Sequence, residues 1–163
     1  MFSIFIHKAR SFARRPLFEQ AWFIPVWLLL GASRLLIHIV PFRSLAPHLG
    51  KHVGSAPWVP LLDARHTITA RSIRRVVEMA AKYTFWKSNC FPQAVAARVL
   101  LGLYGIPYAI FFGISRETDE TAMQAHAWVV SGRIHVCGGK GFERFTVVGC
   151  FVAPWLGRQM KRS

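Results

Sequence analysis

Acidic residues are scarce in this chain. Seven Asp and Glu stand against twenty-one Lys and Arg, a formal net charge of +14 over 163 residues. Such a surplus draws anionic partners: nucleic acid, anionic lipid or acidic polypeptide. The cations are spread evenly, with 11 in residues 1–80 and 10 after. No base-reading module or aromatic-interleaved basic motif accompanies them, so a nucleic-acid partner is not expected and an acidic partner fits better. Cysteines are also few. Cys90, Cys137 and Cys150 form no CxxC pair, and their odd number argues against a disulfide framework and for a reduced, cytoplasmic setting. A zinc site built from Cys137, Cys150 and His135 would need a ligand spacing that fits no common pattern. Gly138-Gly139-Lys140-Gly141 lacks the Walker spacing and the Lys-Ser/Thr end of a phosphate loop, and reads as a connecting turn. Neither metal nor cofactor is expected.

The chain also lacks an uninterrupted apolar run long enough to cross a bilayer. Residues 21–33 carry no charge, but Arg34 ends the run at 13 residues, short of the roughly 20 a spanning helix needs. An arginine at mid-bilayer costs about 3 kcal/mol on insertion scales. The basic and apolar residues before it (Lys8, Arg10, Arg14, Arg15, then Trp22, Phe23, Trp27 and leucines) favour a helix packed on the domain or lying on a membrane surface over a span. Peripheral contact with the inner face of the cell membrane is one expectation. No signal-peptide cleavage site follows.

The length suits one compact domain with a real core. Residues 1–65 read as an apolar helical lead-in and loop, and residues 66–163 as the core. The opening helix starts near Pro16 and its apolar pattern continues to Val40, before Pro41. The proline-rich stretch 41–66 reads as loop with a short helical turn. A second helix begins at Thr69 or Ser72, with Ile73, Val76, Val77, Ala80 and Tyr83 on one face and Arg71, Arg74 and Arg75 solvated. A third runs from Cys90 to Gly105, Pro92 in its first turn and Gly105-Ile106-Pro107 as its stop. Strand patterns follow at 108–114, 125–131, 133–137 and 145–152, the middle two joined tightly at Ser131-Gly132. Glu117, Asp119 and Glu120 fall on an exposed loop.

Two residues carry the chemistry. Cys90 opens an apolar helix, where free backbone N–H groups and the helix dipole favour the thiolate. His126 lies on a following strand in Ala125-His126-Ala127-Trp128, where an imidazole could take the thiol proton and return it to a leaving amine. A buried cysteine on an apolar helix is otherwise ordinary packing.

The stretches Ser88-Asn89-Cys90-Phe91-Pro92-Gln93-Ala94-Val95-Ala96, Leu100-Leu101, Gly105-Ile106-Pro107, Phe112-Gly113-Ile114 and His126-Ala127-Trp128-Val129, with Pro41-Phe42-Arg43-Ser44-Leu45-Ala46 upstream, resemble the peptidase of lasso-peptide maturation, the B proteins. The resemblance runs from about residue 15 to the end. It implies an α+β fold with a papain-like, transglutaminase-like core, in which the cysteine helix packs on a small antiparallel sheet behind the apolar N-terminal helix. It also implies a cysteine peptidase that removes the leader from a ribosomally made precursor peptide. A separate asparagine-synthetase-like cyclase then closes the ring. Having no room for a leader-recognition domain, the chain resembles the split form that works with a small leader-binding protein.

One departure stands out. The family generally places an aspartate about a dozen residues after the histidine, to orient the imidazole. Here Arg133-Ile134-His135-Val136-Cys137-Gly138-Gly139 offers no acid, and Glu143 is the only carboxylate after His126. Either Glu143 takes the role, or a neutral group or backbone carbonyl does, or the enzyme is weak. The same Cys90–His126 pair could pass its acyl group to an amine, as transglutaminases do. A non-catalytic peptide-binding or membrane-associated scaffold is the reading from another class.

Overall fold

The computed structural model describes residues 10–56, 58–86, 89–115 and 123–159. Glu117, Asp119, Glu120, Lys8 and Ser88 lie outside the described residues. Eleven elements follow in order: α1 (Leu17–Ile39), α2 (Phe42–Leu49), β1 (Lys51–His52), α3 (Ala64–Lys82), α4 (Cys90–Leu103), β2 (Ala109–Ser115), β3 (Gln124–Ser131), β4 (Ile134–Cys137), a 3-10 turn (Phe142–Arg144), β5 (Thr146–Val152) and α5 (Pro154–Gln159). The strands form one antiparallel sheet in the order β1-β5-β2-β3-β4. This is the mixed helical and small-sheet architecture the sequence implied.

Strand alternation sorts the core onto the two faces of the sheet. Ile110, Ala127 and Val129 join Ile73, Val76, Val77, Leu100 and Leu101 in one cluster beneath the helices. Phe111, Trp128, Val130 and Cys150 form a second cluster, covered by Trp58, Phe142, Phe145 and Leu156. Helix α1 packs on α3 and α4, and those two pack on each other and on β3 and β4. The Tyr108 hydroxyl donates to the Leu49 carbonyl at 3.0 Å, which ties α2 to the start of β2.

Four sequence expectations need correction. The stretch 41–66 holds more than loop: α2 runs eight residues and β1 adds an edge strand to β5. Pro41 and Pro47 obscure that helix in the sequence, but Pro41 sits at its N-cap, where a missing N–H costs nothing. Helix α3 starts at Ala64, not at Thr69 or Ser72, because the Asp63 side chain caps it by accepting from the His66 N–H at 2.7 Å. Arg75 is not merely solvated, since its Nε donates to Glu19 on α1. Glu19 is only 2% exposed and also accepts from Arg15 at 3.1 Å.

Helix α1 continues through Arg34, as the apolar pattern up to Val40 implied. It runs 23 residues from Leu17 to Ile39, and by length and composition it is long and apolar enough to cross a membrane. Pro25 lies inside it. Val26, Leu30, Ser33 and Glu19 are buried against the domain. Trp22, Phe23 and Trp27 also turn inward: the Trp22 indole donates to the Tyr104 hydroxyl at 2.7 Å, and that of Trp27 to the Tyr83 carbonyl at 3.2 Å. Tyr83, assigned to the buried face of α3 by spacing, is instead its half-exposed C-cap.

Candidate active site

Cys90 is the first residue of α4. Asn89 holds the N-cap position with extended backbone, and its own side chain makes no capping bond to the first turn. Cys90 therefore lies beside the partial positive charge of a helix N-terminus. The side chain is half-buried, as a nucleophile that must meet a substrate needs to be.

His126 lies near the start of β3, opposite Gly113 of β2. Its ring stacks against Trp128, with centroids 5.8 Å apart, and against Phe145 at 4.8 Å. Gly113 makes this packing possible. A Cβ there would come within 3.0 Å of both Phe145 and the Trp128 ring. The ring is then fixed by one hydrogen bond, from Nε2 to the carbonyl oxygen of Gly138 at 2.8 Å. A carbonyl can only accept, so Nε2 carries the proton, and in the neutral ring Nδ1 is left as the base.

Cys90 and His126 open into the same two cavities. The larger, about 750 Å³, is bordered by Arg74, Glu78, Lys82 and Lys140 as well as by the pair. The smaller, about 290 Å³, is apolar and walled by Phe42, Phe91, Phe112 and Ile114. Phe42 meets Phe112 at 5.2 Å and Phe91 at 6.0 Å between ring centroids. The pair thus sits between a charged and an apolar chamber. Among the described residues no hydrogen bond joins the thiol to the ring, and catalytic bonds of this kind often tighten only when substrate binds.

The other site residues fall apart. Glu143, in the 3-10 turn, borders a separate cavity of about 370 Å³ with Phe111, Trp128 and His135, and His126 is not part of its wall. The hydrogen-bond partner of the His126 ring is the Gly138 carbonyl, while the Glu143 carboxylate borders a different cavity. Cys137 borders the larger cavity but is buried. Burial pushes its thiol up to about 12; the Val129 backbone pulls it partly down, while Cys90 and Glu78 push it further up. Cys150 lies in the other core cluster, on the opposite face of the sheet, and burial pushes it up to about 11 against the lowering effect of the Trp58 backbone. Both are inert thiols at neutral pH. Among the described residues, no group of three or more His, Cys, Asp and Glu is placed to hold a metal.

Sequence reasoning missed the aromatic walls, and it offered a backbone carbonyl beside His126 as one option without placing it at Gly138. Phe42 stands far from Cys90 in the chain, and a backbone oxygen leaves no side-chain signature. The Gly138-Gly139 pair was the available sign of an unusual backbone, since Gly138 has φ +67° and a Cβ there would collide with the Ala127 carbonyl.

No curated protein and no solved structure matches the chain. Residues 35–150, from the second half of α1 to β5, match the family model described as the transglutaminase-like superfamily, whose members are typically cysteine-type enzymes. With a cysteine at a helix N-terminus, a histidine on the neighbouring strand and a family match over most of its length, the chain belongs to the transglutaminase-like superfamily.

Proposed function

We propose that the chain is a cysteine peptidase that removes the leader from a lasso-peptide precursor, with Cys90 as nucleophile and His126 as base and then acid. The observation that carries the chemistry is the His126 Nε2–H bond to Gly138, which leaves Nδ1 as the basic nitrogen of a ring that shares two cavities with Cys90. Nδ1 takes the thiol proton and the thiolate adds to the scissile carbonyl. The developing oxyanion meets N–H groups of the first turn of α4. As the C–N bond breaks, the imidazolium returns the proton to the leaving amine and a thioester remains on Cys90. Water then adds to the thioester, giving up a proton to Nδ1. Collapse expels the thiolate, which regains that proton, and the carboxylic acid leaves.

The two chambers on either side of the pair suit an extended peptide, one side apolar and one side charged. The substrate assignment rests on the resemblance around Cys90 and His126 to lasso maturation peptidases. The test is a synthetic precursor incubated with the full chain, with and without the small leader-binding protein, and followed by mass spectrometry. Cleavage at one bond, accelerated by the partner and absent in Cys90→Ala, is the expected result. A precursor that binds and stays whole would leave the scaffold reading. A product bearing an added amine, in place of a free acid, would make the enzyme an acyl transferase.

A further inference from the structure

Helix α1 turns an unbroken apolar stripe away from the domain. Leu17, Ile24, Leu28, Leu35 and Ile39 recur at alternating intervals of seven and four residues, which is one helix face. They are 57 to 82% exposed. Ala21 and Ala32 fall on the same face and are exposed too. The stripe is about 33 Å long at 1.5 Å per residue, and apolar patches of that extent mark an interaction surface. The inward face of the helix is fixed to α3 and α4 by Val26, Leu30 and the buried Glu19, which pairs with Arg75. A helix held along one side by a folded domain cannot be surrounded by lipid, so it lies along a surface.

Charge identifies that surface. In residues 1–62 the only acid is Glu19, and it is buried, while seven Lys and Arg share the same stretch. Arg10 and Arg14 stand exposed at the N-terminal end of the stripe and Arg43 just past its C-terminal end. A second copy of the chain would bring these cations together with no exposed acid from residues 1–62 to offset them. An anionic lipid headgroup layer complements them, with acyl chains below for the leucines. We propose that the protein docks on anionic bilayers through the outer face of α1, which lies in the membrane plane and carries the domain on its other side. The indoles and the phenyl ring that the sequence put at the lipid boundary (Trp22, Trp27, Phe23) instead fasten the helix to the domain.

The test is co-sedimentation of the full chain with vesicles of phosphatidylcholine, with or without phosphatidylglycerol. Binding should be at least about tenfold tighter when phosphatidylglycerol is present and should weaken as salt is raised. Leu28→Glu should lower binding to the anionic vesicles by about tenfold or more, with an unchanged circular dichroism spectrum and melting temperature, because position 28 faces outward. Leu35→Gln, a milder change on the same stripe, should give a smaller loss in the same direction. Equal affinity for neutral vesicles overturns the charge argument. Pelleting that survives alkaline carbonate overturns the in-plane placement in favour of a span. A lipid-free dimer that Leu28→Glu dissociates assigns the stripe to a second copy and overturns the proposal.

Discussion

His126 donates its Nε2 proton to Gly138, and the acceptor is the main-chain oxygen of the residue twelve positions on, about where the lasso-maturation peptidases the chain resembles carry an aspartate. A neutral acceptor can fix the tautomer of the ring and its aim, but it cannot stabilise the imidazolium as a carboxylate would. Glu143→Gln should therefore change the cleavage rate by no more than about a factor of two, as for a surface change away from the chemistry. A loss of several powers of ten in that variant would return the role to Glu143.

Supplying the family acid should fail. Gly138→Asp adds a Cβ that collides with the Ala127 carbonyl, at a φ of +67° that L residues rarely adopt. Gly138→Ala meets the same obstacle. Both should lower kcat about a hundredfold or more, since small displacements of a catalytic group have effects of that size. Steady-state kinetics on folded protein, checked by circular dichroism, measure this.

The three thiols should be separable by reactivity. Iodoacetamide near neutral pH should modify Cys90 and leave Cys137 and Cys150 intact, as read by peptide mass mapping. The two buried thiols should also make the fold sensitive to alkali. Their folded values of about 12 and 11 lie above the ordinary 9.0, so the unfolded chain loses their protons first. The stability they contribute is complete below pH 9 and falls as pH rises towards 11 and 12. Cys137→Ala should flatten that decline in denaturant melts run across the alkaline range.

The Glu19–Arg75 pair makes a prediction about stability. Arg75→Ala leaves a carboxylate that is 2% exposed with Arg15 as its remaining cation. The loss should be about 1–2 kcal/mol, below the full value of a charged hydrogen bond because Arg75 is half-exposed. Glu19→Gln should cost less, since a neutral amide needs no counter-ion. Thermal melts of the two variants give the order.

Phe42 tests the apolar chamber. It is half-exposed, so truncation should spare the fold. Phe42→Ala should raise KM several-fold with little change in kcat, because the ring walls the cavity and takes no part in the proton transfers. An equal fall in kcat would show that the ring positions Cys90 or His126.

The apolar pattern served well where burial alone decides the element. The helix bearing Cys90 packs one side on the main core, and β2 to β5 show as short apolar runs because both faces of the sheet are covered. It served poorly where a cap or a tertiary contact decided the outcome. Asp63 extends α3 upstream across polar residues, and the Asp63 cap left no apolar signature in the sequence. Cys90 and His126 were visible as residue types in context. Their surroundings were not, since Phe42, Phe91, Phe112 and the Gly138 oxygen converge only once the chain is folded.

The pairing of β1 with β5 sets an order of events. Lys51 meets Val152 and His52 meets Phe151, so the outer edge of the sheet joins the early part of the chain to its far end. Contacts this distant in sequence carry the largest loop-closure entropy and form slowly. During synthesis, α1 to α4 can emerge and associate while the edge beside β5 waits for the last strand. In that interval the apolar faces by which the helices later meet the sheet stand uncovered, the condition under which a nascent chain sticks to a surface or to a neighbour.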